Sequence, residues 1–177
     1  MFSDSSAVIT ALFISFLPCF GFGIAAQTLV GQMLGQGFPK RARLYGFETA
    51  KLGTIFTVIL GAIFVLFPDL VLIVITTNQK VIEIAHPILQ IAGVAQVFYG
   101  SGIILANALQ AGGAAVYVMF VEVLTHWIIF LPLTYLFGVR WGWGIRGAWL
   151  ALPIYIVMYS LMNYLKFRSL GWTRIKL

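Results

Sequence analysis

A carboxylate, Glu122, and an imidazole, His126, stand four residues apart in an otherwise apolar stretch. On a helix that spacing puts both on one face. Side by side, the two groups can take up and release a proton or hold a cation. Glu122 is the one carboxylate that the apolar runs place within hydrocarbon, where an ionisable side chain is costly and usually functional. It falls about seven residues into its run, roughly 10 Å at 1.5 Å per residue, so snorkelling to the interface is the competing reading. A second set, Gln96, Tyr99 and Asn107, with Gln90 before them, punctuates another apolar run. These side chains either line a polar cavity for a cationic ligand or hydrogen-bond between helices, as such residues commonly do in membranes. Gln27 and Gln32 read the same way.

The elements that must position these residues are long apolar helices. Hydrophobic residues make up 61% of 177 positions and charged residues 9%; mean hydropathy is +1.00. A bilayer core of roughly 30 Å needs about 20 apolar helical residues, and backbone in hydrocarbon must satisfy its own hydrogen bonds. The fold class is therefore all-α, a polytopic helical membrane protein in a single transmembrane domain, 1–177. Five spans are expected, at about 7–34, 51–68, 84–109, 116–137 and 145–165. Pro18 kinks the first, and Pro132 falls within the fourth. A stretch at 70–77 is too short to cross and reads as interfacial or re-entrant. His86-Pro87 near the outer face reads as shaping the start of the third span, with a pH-sensitive role as the alternative. Gly31 and Gly35 have the spacing that lets helices approach closely. Phe13, Phe16, Phe20 and Phe22 face lipid or a neighbouring helix, with contact to an aromatic ligand as the alternative.

Charge orients the spans. The side holding the Pro39 loop and the C-terminus carries Lys40, Arg41, Arg43, Lys51, Lys166, Arg168, Arg174 and Lys176; the other carries Lys80, Arg140 and Arg146. The excess marks the cytoplasmic side, so the C-terminus is expected in the cytoplasm and the protein in a cell membrane, the inner membrane if the source is bacterial. Trp141, Trp143 and Trp149 fit the outer interface and Trp172 the inner one. The net charge of +6 is thus a topology signal, with anionic lipid headgroups a further partner for Lys40, Arg41 and Arg43; no nucleic acid is implied. A lone Cys19 excludes an internal disulfide. A chain opening Met1-Phe2-Ser3-Asp4 on the outer side, with no preceding helix, reads as the tail of something longer.

Three motifs in sequence carry a family resemblance. The first is Pro18-x-x-Gly21-x-Gly23-Ile24-Ala25-Ala26-x-Thr28-Leu29-Val30-Gly31-Gln32-x-Leu34-Gly35-x-Gly37, followed by a basic turn and Ala42. The second is Leu109-Gln110-Ala111-Gly112-Gly113. The third is Leu131-Pro132-Leu133-x-Tyr135-Leu136 followed by Gly142-x-Gly144-Ile145-x-Gly147-Ala148-Trp149. In order and spacing they resemble helices eight to twelve of multidrug and toxic compound extrusion transporters. The resemblance implies five helices of one six-helix lobe, a missing N-terminal lobe on the same or a separate chain, and small organic cations as substrates. It also implies exchange for protons or sodium, with no cofactor, no metal and no enzymatic activity. Two departures stand out. Tyr99 occupies the position where some branches carry an acidic sodium ligand, and the usual Gly-x-Gly-Asp turn is here Ala111-Gly112-Gly113-Ala114.

Two other functions compete. A flippase for lipid-linked precursors, from a related family, would need more cations facing its cavity than this chain supplies. An intramembrane protease would use Ser101 with His126. A rhomboid-type site wants Gly-x-Ser-Gly, however, and Tyr99 stands at the first Gly; no His-Glu-x-x-His run and no paired aspartate motif occurs.

Overall fold

A computed structural model describes residues 2–169 and 171–174. The side chain of Arg174 and all of Lys176, both used in the charge count, lie outside the described residues, as do the side chains of the opening Met1–Asp4.

Helix α1 (Phe2–Gly35) runs unbroken through Pro18. It ends because Gly37 adopts φ 79, which lets Phe38 N–H reach the Met33 carbonyl at 2.8 Å and Gly37 N–H reach that of Leu34 at 2.9 Å. A side chain at Gly37 would strain that left-handed turn. The same closure, with Gly113 at φ 81, ends the helix Gln79–Ala111. Helix α2 (Pro39–Leu66) starts on a proline, whose missing N–H would have no helical partner there. It begins twelve residues before the expected start at Lys51, so Lys40, Arg41 and Arg43 lie on a helix and not in a loop. The sequence marks the apolar run, while Ala42, Gly46, Thr49 and Ala50 on the charged extension are buried against the bundle and keep it helical.

The short stretch after it is a helix, α3 (Pro68–Ile75), with Leu72 fully buried. Helix α4 (Gln79–Ala111) starts where the Asn78 side chain accepts from Lys80 N–H at 3.1 Å. His86 and Pro87 therefore lie inside α4 and do not shape its start. Helix α5 spans Ala115–Arg140 and changes winding twice. Pro132 has no N–H for the Ile128 carbonyl. Just before it, residues Thr125–Phe130 widen into a π-helix in which Leu131 N–H bonds to the His126 carbonyl. A second π segment covers Leu136–Arg140. Helix α6 (Gly144–Arg168) follows, then a short turn at Gly171–Arg174.

Five of these helices, α1, α2, α4, α5 and α6, are long and apolar enough to cross a membrane. Helix α4 is the hub, packed on α1, α2 and α6; α5 rests mainly on α6. The α2–α4 crossing is backbone-close. A Cβ on Gly61 would sit 2.6 Å from the Gly93 carbonyl oxygen, and one on Gly93 would sit 2.9 Å from that of Gly61. Gly31 approaches Ala111, but Gly35 has nothing within 4 Å, so the close-packing spacing works at one of its two glycines. Trp172 does not face the interface; it is fully buried, stacked on Phe167 beneath Gly112.

Candidate functional site

Glu122 and His126 lie on α5 where its winding changes. The π segment begins at Thr125, and such widened turns recur at functional positions. His126 Nδ1 lies 3.6 Å from Glu122 Oε1 and 3.2 Å from the Glu122 carbonyl oxygen. From α6, the Tyr155 hydroxyl donates to Glu122 Oε1 at 3.3 Å, and the Tyr155 ring lies 4.4 Å from the imidazole. Tyr159, one turn on, stacks beside Tyr155 with ring centroids 6.1 Å apart. A carboxyl, an imidazole and a phenol thus meet between α5 and α6. Such a set can bind and release a proton, or hold a cation by charge and by the faces of its rings.

The pair is not sealed. The Glu122 and His126 side chains are 47% and 43% exposed, because α5 packs on one side only. Tyr155 and Tyr159, by contrast, are buried.

Next to the pair is a cavity of about 310 Å³ between α1, α5 and α6. Phe13 and Phe16 of α1, Phe130 and Thr134 of α5, and Trp149 and Leu152 of α6 form most of its wall. Phe130 joins wall and polar pair, its ring 5.9 Å from His126 and 5.6 Å from Tyr155. No charged residue is among the lining residues. An apolar, aromatic chamber that reaches the polar pair only through Phe130 suits a ligand with apolar substituents.

The other expected positions are placed as follows. Tyr99 stacks on Phe16 at 4.3 Å and so touches the cavity wall from behind. Gln96 is buried with Nε2 unpartnered, as are Thr134 Oγ1 and Asn163 Oδ1. Asn107 donates to the Ile103 carbonyl within its own helix and lies against Gly23 of α1. Gln90 donates to the Val65 carbonyl of α2 at 3.2 Å, an interhelical bond. None of these four lines the cavity. Gln32 is exposed, as is Gln27. Ser101 donates to the Phe98 carbonyl at 2.9 Å, and His126 is engaged with Glu122; no serine–histidine pair forms among the described residues. Tyr155 and Tyr159 were not singled out from sequence. Their four-residue spacing on one apolar run was the available signal.

A family model described as MatE matches residues 5–136. A probable multidrug resistance protein NorM of Thermotoga maritima is 28% identical over 161 residues, which cover 91% of this chain and 35% of that protein. A protein of the same description from Brucella suis is 27% identical, covering 88% and 34%. The chain thus spans about a third of the length of these relatives. An inward-facing structure of a multidrug resistance MATE family transporter of the MOP superfamily superposes on 97% of this chain and 41% of its own, with a TM-score of 0.82 at 15% identity. That likeness shows a shared fold.

Proposed function

The chain belongs to the MatE family, a family of membrane transporters and not of enzymes, and from that premise we propose that it is part of a cation-coupled antiporter exporting small organic cations. The observation that carries this reading is a half-exposed carboxylate, Glu122, held by His126 and Tyr155, which in turn pack on Phe130 in the wall of an aromatic cavity. A bound proton or sodium ion would neutralise Glu122, and an organic cation entering beside Phe130 would compete for the same charge. A ligand shifts a conformational equilibrium only through such differential binding. The rest of the transporter, on the same or a separate chain, would supply the other wall of the path. The cations gathered at the Pro39 and C-terminal ends support a cytoplasmic C-terminus in a cell membrane.

The test is efflux of tetraphenylphosphonium from proteoliposomes holding an active transporter that contains this segment. Glu122→Gln is expected to cut ion-driven efflux about tenfold or more with insertion unchanged. Glu122→Asp is expected to keep partial activity with an altered pH profile. Imposed proton and sodium gradients, applied separately, identify the coupling ion. Wild-type efflux by Glu122→Gln across the pH range would contradict the reading.

A further inference from the structure

The cations at the α1–α2 turn have no carboxylate partner among the described residues. Lys40, Arg41 and Arg43 lie on the first turns of α2, which is helical through this charged stretch. No carboxylate among the described residues lies within 4 Å of any of them. Two are held on aromatic rings. The Arg41 guanidinium lies 5.0 Å over Phe38 and that of Arg43 lies 5.6 Å over Phe47. A guanidinium stacked on a ring keeps its in-plane N–H donors free, and its fork matches two oxygens of one phosphate. Stacking also limits the side-chain freedom that binding would otherwise have to remove.

Lys40 and Arg43 border a cleft of about 390 Å³ whose floor is Leu44 and Phe47. Phe47 in turn packs against Tyr164 and Phe167 of α6, with ring centroids 5.8 and 5.0 Å apart. That floor is therefore fixed between two helices. Cations rim the cleft, apolar side chains floor it, and the uncharged run of α2 begins just beyond, after Lys51. The opposite end is different: Lys80, Arg140 and Arg146 lie on no ring among the described residues.

We infer that the Lys40–Arg43 cleft binds the phosphate headgroup of an anionic phospholipid, with an acyl chain laid over Leu44 and Phe47. Lys40 and Arg43 contact the phosphate, and Arg41 adds attraction from the adjacent turn. Each Lys or Arg held near the surface attracts an anionic headgroup, so a zwitterionic lipid of the same chain length binds less. Glu48, exposed further along α2, is the one carboxylate side chain near this end among the described residues and does not offset three cations.

The experiment is native mass spectrometry of the full chain, released from nanodiscs of equimolar phosphatidylglycerol and phosphatidylcholine. The wild type is expected to retain phosphatidylglycerol at least fivefold over phosphatidylcholine. Lys40→Gln with Arg43→Gln is expected to abolish that preference, and Arg43→Gln alone to reduce it about threefold, which serves if the double variant does not purify. Lys80→Gln at the opposite end is expected to leave it unchanged. Equal retention of the two lipids by the wild type, or an unchanged preference in the Arg43 variants, overturns the proposal. So does full displacement of the lipid by millimolar inorganic phosphate, which would make the ligand a soluble anion.

Discussion

Helix α4 is clasped by three neighbours, whereas α5 leans on one. Of the apolar window of α4, 56% is buried; of that of α5, 17%. The two helices draw on the same apolar residue types but differ in size at the contact face. Gly93, Gly100 and Gly102 let α2 and α6 come within van der Waals reach of the α4 backbone. Helix α5 instead presents Phe120, Trp127, Ile128 and Leu131 outward. Their polar groups divide the same way. Gln90 and Asn107 of α4 are tied to main-chain carbonyls, and Glu122 and His126 of α5 stay half-exposed. In a membrane, where apolar burial between helices gives little drive, small residues and interhelical hydrogen bonds set the packing. The group able to change its charge sits where that packing is loosest.

Substitutions that crowd the α2–α4 crossing should break this contrast most severely. Gly93→Leu would drive a side chain into the Gly61 carbonyl and Phe64, and a loss of about 3 kcal/mol or failure to fold is expected, read as the midpoint of unfolding in mixed micelles. Ile128→Ala, at a 66% exposed site on α5, should change that midpoint by less than about 0.5 kcal/mol. Similar losses at both sites would show that α5 is packed as tightly as α4.

The second contrast separates stability from charge. Tyr155→Phe removes the one α6 hydroxyl within 3.3 Å of Glu122. Its expected cost is about 0.5–1.5 kcal/mol of stability, together with a change in the pH profile of efflux. Gln90→Leu removes an α4–α2 bond of similar length and should lower stability by a like amount with the pH profile intact. A small effect is also expected at the far end of α4, where His86 Nδ1 meets Asp69 Oδ1 of α3 at 2.6 Å. Both side chains are more than a third exposed, so Asp69→Asn should cost only about 0.2–1 kcal/mol, measured in the same unfolding assay.

Much of this arrangement was legible from residue types alone. Long uncharged runs required helices, and the expected ends of the first and third spans, at 34 and 109, fall close to the Gly37 and Gly113 turns. The pairing of Glu122 with His126 followed from a four-residue spacing. What sequence did not show depends on contacts between helices. The extension of α2 back to Pro39 is invisible to hydropathy because its charges point outward while Ala42, Gly46 and Ala50 pack inward. The π segments around Pro132 reset which α5 residues face α6, so the meeting of Tyr155 with Glu122 could not be counted off. Trp172 shows the same limit, because an aromatic near a span end fits an interface equally well until a buried slot, here under Gly112, claims it.

The most direct measurement is a titration of the Glu122 carboxyl itself. Glutamate carboxyls labelled with carbon-13 would be followed by NMR in nanodiscs, with Glu122→Gln assigning the resonance among Glu48, Glu83 and Glu122. Tetraphenylphosphonium is expected to shift the Glu122 midpoint to lower pH, as a cation competing with the proton for one carboxylate must, and to leave Glu48 and Glu83 unmoved. A Glu122 midpoint that is the same with and without the cation would contradict the assignment of this carboxylate as the shared site.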